Sequence, residues 1–167
     1  DCALLFSKKF KLIDSDFIQV KLPTSSRPTR DILFAKLAMG DRVYNIFVNH
    51  WSSRWGGQEK TNFKRVFAAN VLRNYIDKKI PDDQVIIIMG DFNDYDDIVK
   101  DLNDDMPNSM VLDILKGISG DYSGNYLLHS AASLVTQDER FTEWYDSDGN
   151  CNTSSIHDYS MIDHILI

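Results

Sequence analysis

Apolar residues occur in short runs along the chain, and the spacing within each run predicts its secondary structure. The runs at residues 3–6 and 17–22, joined by a lysine-rich turn, predict a hairpin. The runs at 32–37 and 43–48 predict two further strands. Residues 85–89 read Val-Ile-Ile-Ile-Met, and an uninterrupted apolar run of this kind is typical of a strand covered on both faces.

One long helix is predicted between these strands. Residues 61–79 carry apolar side chains three or four positions apart, with Thr61 or Asn62 as the N-cap and Pro81 closing the segment. The acidic stretch 94–105 has room for a short second helix. Strands that alternate with a helix predict a layered α/β fold.

Polar segments separate the apolar runs and predict loops. Residues 23–30 contain two prolines and several hydroxyl residues, so they predict an exposed loop that leads into the next strand. Residues 51–57 interrupt all periodicity directly after a strand, where binding and catalytic sites are often built. Apolar and β-branched residues return at 140–145 and 161–167.

Length and composition favour a single domain. The chain has 167 residues, of which 43% are hydrophobic, and this is enough to form one core. It has no apolar stretch of about 18 residues, so the sequence predicts no membrane span. The first residues resemble an interior strand rather than a signal peptide, and the last ones form an apolar run without a turn or cap. Both ends therefore lead us to expect a piece of a larger domain.

The net charge limits the functions that the chain can have, and the two cysteines leave its redox compartment open. A formal net charge of −7 argues against a protein that binds nucleic acid mainly through its overall charge. It does not exclude a nuclease, because metal-binding carboxylates contribute to the negative charge of such an enzyme. Cys2 and Cys151 lie far apart and match no metal-ligand spacing. A disulfide, two buried thiols or one of each all remain open, so the redox compartment is undetermined.

Candidate chemistry begins where the strand at 85–89 ends. Gly90 permits a sharp change of direction, and Asp91 and Asn93 stand two positions apart, so both side chains emerge on the same side of an extended segment. A carboxylate and a carboxamide at such a place can form a metal and phosphate site. The alternative is an Asx-turn with only a structural role.

Two further candidates also stand at or within strands. His50 ends the strand that begins at residue 43, although a single histidine there is most often structural. Asp163 lies between Ile162 and His164 in an apolar run, where a buried carboxylate would need a partner or a cation. Because side chains alternate along a strand, Asp163 and His164 are predicted to point to opposite faces.

Arg30 and Arg54 are candidates for binding phosphate. Each lies in a loop beside a strand that carries another candidate residue. Exposed arginines are common and usually have no special role, but a guanidinium near carboxylates offers a forked pair of donors that suits phosphate.

The candidate residues belong to motifs that resemble a known family. Residues 86–93 (Ile-Ile-Ile-Met-Gly-Asp-Phe-Asn), 47–50 (Phe-Val-Asn-His) and 162–167 (Ile-Asp-His-Ile-Leu-Ile) resemble three signatures of the endonuclease/exonuclease/phosphatase superfamily, in the same order. Residues 30–33 resemble the arginine-started strand that precedes the histidine strand in its nucleases. Deoxyribonuclease I is the familiar member of this superfamily, and the resemblance to it covers nearly the whole chain.

The resemblance implies a fold, a reaction and a cofactor. The implied fold is a four-layer α/β sandwich, and the implied reaction is phosphodiester hydrolysis assisted by Mg²⁺, Mn²⁺ or, less typically, Ca²⁺. His50 would stabilise or protonate phosphate oxygens. Asp91 and Asn93 would orient the attacking water and bind the phosphate or the metal, and Asp163 would orient a second histidine. The resemblance favours a secreted, monomeric nuclease that acts on nucleic acid.

Some of the family's site residues are absent from the chain. The family has a metal-binding Glu and an Asn on early strands, and a Ser-Asp-His element near its carboxyl terminus. We therefore expect residues 1–167 to form a single domain of this family that lacks its first strands and its last strand. The isolated chain is predicted to be inactive or barely active.

Several alternatives stay open on the sequence alone. The same superfamily core suits a phosphatase or a phosphodiesterase acting on inositol phosphates or sphingomyelin-like lipids, and a noncatalytic binding module is a third reading. Residues 146–152 place oxygen ligands at alternate positions, as calcium loops do, but Cys151 and His157 stand where such a loop needs Gly and Glu. An acidic turn is therefore favoured there. The chain has no zincin, Gly-x-Ser-x-Gly or P-loop motif.

Overall fold

The computed structural model describes residues 2–23, 25, 29–103, 109–119, 127–146 and 148–167. Short 3₁₀ helices lie at Ala131–Leu134, Gln137–Glu139 and Ile156–Asp158. The strands and α-helices of the described residues are, in chain order, β1 (Lys11–Ile18), β2 (Ile32–Met39), β3 (Arg42–His50), α1 (Gln58–Lys79), β4 (Val85–Asp91), α2 (Val111–Lys116), β5 (Glu143–Trp144), β6 (Tyr159–Ser160) and β7 (Asp163–Leu166).

Five strands form a mixed sheet in the order β1-β2-β3-β4-β7. Neighbouring strands are antiparallel except β3 and β4, which are parallel and are joined through α1. A parallel pair needs such a crossover, because its two strands run in the same direction. β5 and β6 form a separate two-stranded ribbon. The mixed sheet with helices confirms the predicted α/β class.

The main core lies between one face of the sheet and α1. Leu72 and Ile76 of the helix belong to one buried cluster with Phe34, Phe47 and Ile88 of the three central strands. The rings of Phe34 and Phe47 stack with centroids 5.1 Å apart. Burial of these apolar side chains is the dominant stabilising contribution and fixes the helix against β2, β3 and β4.

The predicted amino-terminal hairpin is wrong. Residues 3–6 form no strand, and β1 begins at Lys11, well before the predicted 17–22 run. β1 pairs with β2 instead and is exposed along nearly all its length. An edge strand needs only one partner for its backbone hydrogen bonds, so its side chains need not follow the apolar pattern that the prediction relied on.

The helix start and the acidic segment also differ from expectation. α1 begins at Gln58, and its N-cap is Gly57, so neither Thr61 nor Asn62 is the cap. No helix forms over residues 94–103, where the Asp96 carboxylate accepts the Ile98 and Val99 backbone N–H groups at 2.9 Å in a turn. Residues 104–105 of that prediction, and 24 and 26–28 of the predicted loop, lie outside the described residues.

Within the described residues, only one face of β4 is buried. Ile86 and Ile88 are buried, whereas Val85, Ile87 and Met89 are half-buried. The prediction that the strand is covered on both faces is therefore wrong for these residues, because an apolar run alone does not show what lies against each face.

Gly90 is required by a close approach of two backbones. It has φ +129°, and a Cβ placed there would lie 2.1 Å from the carbonyl oxygen of Asn49 on β3. Gly90→Ala is therefore expected to lower the free energy of unfolding by about 2–4 kcal/mol, since both overpacking and backbone strain destabilise the fold. Urea denaturation measures this loss. Gly40→Ala is the matched control, because Gly40 also has positive φ but no atom within 4 Å of its Cβ position; an equal loss in the two variants would contradict the packing argument.

Candidate active site

Three of the predicted site residues lie side by side on neighbouring strands. The carboxyl ends of β3 and β4 meet because these strands are parallel, and their register places His50 opposite Asp91. On the other side of β4, the register places Asp163 of β7 opposite Asp91. The His50 Nε2 atom lies 3.6 Å from Asp91 Oδ2. The sheet therefore brings these groups together although they are far apart in sequence.

Asn93 is held against Asp91 by a tight turn. It has φ +51°, its backbone N–H donates to Asp91 Oδ1 at 2.7 Å, and its Nδ2 donates to Asp91 Oδ2 at 2.9 Å. Nδ2 also lies 3.3 Å from the Trp51 carbonyl oxygen. The Asx-turn weighed as a structural alternative is thus present, and it is the same turn that places Asn93 beside the other candidates.

Asp163 and His164 point to opposite faces of β7, as predicted. His164 is buried, and its Nε2 lies 2.9 Å from the Asp94 carbonyl oxygen. Burial holds the pKa of His164 below its usual value. Asp163 is exposed in the described structure, so the expectation of a buried carboxylate is wrong. Ile162 and Leu166 are buried on the other face of the strand, whereas Ile165, on the same face as Asp163, is itself exposed.

The electrostatics of the site centre on Asp91. Burial raises the pKa of this carboxyl group, and the negative charge of Asp163 raises it further, whereas the Asn93 N–H and His50 act in the opposite direction. Two carboxylates therefore converge at this edge of the sheet. A divalent cation would relieve their repulsion, and carboxylate and amide oxygens are ligands that hard cations prefer.

The two predicted phosphate-binding arginines occupy different places. The Arg54 guanidinium lies 4.4 Å from the centroid of the Tyr95 ring, and its Nη2 lies 3.7 Å from Glu143 Oε2. Burial lowers the pKa of Arg54, although the Glu143 carboxylate counteracts this. Arg54 lines a pocket of about 360 Å³ together with Asn93. Its position is therefore directly beside the candidate site.

Arg30 is connected to the site through the backbone of Trp51. Its Nη1 donates to the Trp51 carbonyl oxygen at 2.7 Å, and this oxygen also accepts from Asn93 Nδ2. The Trp51 N–H in turn donates to the Asp91 carbonyl oxygen at 2.9 Å. Arg30 lines a separate small cavity with Trp51 and Ser52 rather than the pocket of Arg54.

Sequence reasoning missed a fully buried ion pair that holds the site loops together. Arg65 of α1 and Asp94, next to Asn93, are both inaccessible to solvent, and Arg65 Nε lies 2.7 Å from Asp94 Oδ2. Arg65 also donates to the Ser52 carbonyl oxygen. A signal was available, because Arg65 stands four residues after Thr61 and seven before Leu72, on the buried stripe of the predicted helix.

The acidic segment near residue 150 forms a turn, as favoured from the sequence. Asp146 accepts backbone N–H groups from Gly149, Asn150 and Cys151. One ligand atom from each of Asp146, Asp148 and Asp158 lies within 4.8 Å of the other two, so these three carboxylates could hold a metal ion. This group is separate from Asp91 and Asp163.

The structure answers the open question of the disulfide and agrees with the predicted absence of a membrane span. Cys2 is half-buried and Cys151 is exposed, and neither forms a disulfide, so the disulfide alternative does not hold. Within the described ranges, no helix is both long and apolar enough to cross a membrane, in agreement with the sequence.

The mixed sheet and its helices match the deoxyribonuclease I-like α/β fold. The sequence matches the Endonuclease/Exonuclease/phosphatase family over residues 1–151, and the chain belongs to this family. The predicted resemblance is therefore confirmed. The last motif, at residues 162–167, lies beyond the matched range. A search of curated protein sequences found no match.

Solved structures share the fold at low sequence identity. TDP2 from D. rerio, complexed with single strand DNA product, is 18% identical, with a TM-score of 0.57 over 94% of this chain and 52% of that chain. A functionally unknown conserved protein from Enterococcus faecalis V583 is 13% identical, with a TM-score of 0.62 over 96% and 56%. ANGEL2, a 2',3'-cyclic phosphatase, is 15% identical, with a TM-score of 0.52 over 95% and 55%. The chain thus spans about half the length of these structures.

Proposed function

We propose that the protein hydrolyses phosphodiester bonds with the help of a divalent metal ion, as an endonuclease acting on DNA or RNA. The observation that carries the proposal is the meeting of His50, Asp91, Asn93 and Asp163 at one edge of the sheet. Separate structural roles would not require these four polar residues to converge from three strands and a turn. TDP2, one of the structures with this fold, was solved with single strand DNA product.

Each side chain has a role that matches its position. Asp91 accepts hydrogen bonds and orients the attacking water, and Asn93 holds Asp91 in place through its N–H and Nδ2 groups. His50, beside Asp91, donates a hydrogen bond or a proton to the developing charge on a phosphate oxygen. Asp163 stands on the other side of Asp91 and, as in the family motif, orients a second histidine.

The metal ion would neutralise charge on the departing oxygen when it is bound. Asp91 and Asn93 are the residues proposed to hold it, and the convergence of Asp91 with Asp163 fits a cation there. Mg²⁺ or Mn²⁺ suits these oxygen ligands better than a softer metal. Arg54 would bind a phosphate that flanks the cleaved bond, and Arg30 would bind one on the far side of Trp51.

Metal-dependent cleavage is the direct test. The full-length gene product is expected to nick supercoiled plasmid DNA or cut RNA with Mg²⁺ or Mn²⁺, and to lose this activity in excess chelator, because charge neutralisation needs the cation. Agarose gel electrophoresis measures nicking. Asp41→Asn, in the exposed turn between β2 and β3, is the control and should cleave like the wild type. Cleavage that persists in chelator would contradict the proposal.

A second candidate is hydrolysis of a small or lipid phosphoester. The net charge of −7 favours it, because a strongly negative chain repels polymeric phosphate over most of its surface. ANGEL2, which shares the fold, is a 2',3'-cyclic phosphatase, so the fold also accommodates phosphatase chemistry. Release of phosphate or phosphorylcholine from inositol phosphates or sphingomyelin, without plasmid nicking, would favour this candidate over the endonuclease.

A further inference from the structure

We propose that the pocket beside Asn93 binds an unpaired nucleobase next to the cleaved phosphodiester, so that single-stranded nucleic acid is the preferred substrate and duplex DNA the poorer one. This inference rests on the proposed function and specifies its substrate class. The pocket has a volume of about 360 Å³ and shares Asn93 with the candidate active site. Asn93 contacts Asp91, so a nucleotide whose phosphate lies at Asp91 has its neighbouring base within reach of the pocket.

The walls of the pocket are aromatic and open to solvent. Trp55 is 88% exposed and Tyr145 is 65% exposed, and both line the pocket. Large rings at the surface leave apolar area in contact with water, and two of them around one concave site mark a place where a planar group can stack. Nucleobases stack on such rings without regard to sequence.

The pocket also carries polar groups that can meet the edge of a base. Ser160 Oγ donates to Glu143 Oε2 at 3.1 Å, and Arg54 Nη2 lies 3.7 Å from the same oxygen. A carboxylate accepts hydrogen bonds from exocyclic amino groups, and a guanidinium donates to carbonyl groups or to phosphate. The combination of stacking walls and edge-binding groups fits a base better than a purely apolar ligand.

Arg54 decides between a nucleobase and a quaternary ammonium group. Aromatic rings with nearby carboxylates also bind choline-like cations. In this pocket, however, the Arg54 guanidinium already lies over the Tyr95 ring at 4.4 Å. Arg54 thus occupies a ring face and lies 3.7 Å from the Glu143 carboxylate, so it competes with a choline-like cation for both, whereas it attracts the phosphates on either side of a base.

The pocket selects single strands over duplexes. A base inside a duplex is stacked on both sides by its neighbours, so it must leave the helix before its face can lie against Trp55 or Tyr145. A base in a single strand has no pairing partner to lose. Both rings should therefore contribute to affinity for single strands and contribute little to affinity for a duplex.

Binding measurements in chelator test this without turnover. Fluorescence anisotropy of the full-length gene product is recorded with a labelled single-stranded oligodeoxynucleotide of mixed sequence and with its duplex, at fixed ionic strength. Trp55→Ala is expected to weaken single-strand binding by roughly 5- to 150-fold, the range for loss of one stacked base. Trp55→Phe should restore most of the affinity, and duplex binding should change little in either variant.

Trp144→Ala is the matched control, because Trp144 is a partly exposed tryptophan that does not line the pocket. It should bind single strands like the wild type. Unchanged single-strand affinity in both Trp55→Ala and Tyr145→Ala would overturn the inference, as would displacement of the oligonucleotide by phosphorylcholine at a lower concentration than by a mononucleotide. Trp55-dependent binding without hydrolysis in Mg²⁺ would support the base site and refute the proposed function, so the two failures are distinguishable.

Discussion

Replacement of His50 by alanine is expected to lower kcat/KM for phosphodiester hydrolysis by roughly 10²- to 10⁴-fold, the usual contribution of one positioned proton donor. The His50 Nε2 atom lies 3.6 Å from Asp91 Oδ2, so the imidazole and the carboxylate face the same reacting group. Without the imidazole, the phosphate oxygen lacks the hydrogen-bond donor that would stabilise its developing negative charge. Initial rates of oligonucleotide cleavage by the full-length gene product in Mg²⁺ at pH 7 measure the loss.

The matched control for this experiment is His129→Ala. His129 is an exposed histidine beside the carboxyl end of β7, and its backbone pairs with Ile167. This variant should keep the wild-type rate, and both variants should unfold at nearly the wild-type temperature, which excludes a general loss of structure. A rate for His50→Ala within threefold of the wild type would refute the role assigned to His50, whatever the chain's substrate.

Arg65→Met is expected to lower the free energy of unfolding by about 3–5 kcal/mol, because it leaves the Asp94 carboxylate buried without its charged partner. Both side chains are inaccessible to solvent and lie 2.7 Å apart. Arg65 also donates to Thr61 Oγ1 at 2.8 Å and to Gln58 Oε1 at 2.9 Å. These bonds join the start of α1 to the turn that follows β4.

A double variant separates the charge effect from lost packing. In Arg65→Met with Asp94→Asn, the buried carboxylate is removed, so part of the lost stability should return relative to Arg65→Met alone. Arg42→Met, at the exposed start of β3, should change the unfolding free energy by less than about 0.5 kcal/mol. Equal losses for Arg65→Met and Arg42→Met in urea denaturation would contradict the account of the buried pair.

The Arg65–Asp94 ion pair, which stabilises the fold, also holds loops of the candidate active site in place. Arg65 donates to the carbonyl oxygen of Ser52, in the loop that carries Arg54, and Asp94 follows Asn93 directly. The Asp94 carbonyl oxygen also contacts His164 Nε2 at 2.9 Å. The buried guanidinium thus joins two site loops, and the Asp94 backbone joins one of them to β7, so changes at Arg65 are expected to disturb the site as well as the core.

Much of the fold was predictable because local signals and tertiary contacts agree in the central strands. β2, β3 and β4 were predicted from apolar runs, since central strands must bury their side chains on neighbouring layers. β1 was misplaced because it lies at the sheet edge and carries charged residues such as Asp14 and Asp16. The start of α1 was placed too late because Gly57 supplies the cap without any side-chain hydrogen bond.

The sequence by itself determined the family, the α/β class and the candidate residues His50, Asp91 and Asn93. It could do so because these residues directly follow or end strands whose apolar pattern is local, and because the motifs keep their order along the chain. The sequence shows which residue types stand at these positions, whereas tertiary contacts set properties such as the raised pKa of Asp91.

Only the tertiary structure decided which groups meet. The registers of β3, β4 and β7 bring His50 and Asp163 to either side of Asp91, and they leave Asp163 exposed rather than buried. Arg54 reaches a pocket that also contains Tyr145, from a segment about 90 residues further along the chain. Such neighbours are set by strand register and loop packing between distant segments, which a local pattern of apolar and polar positions does not contain.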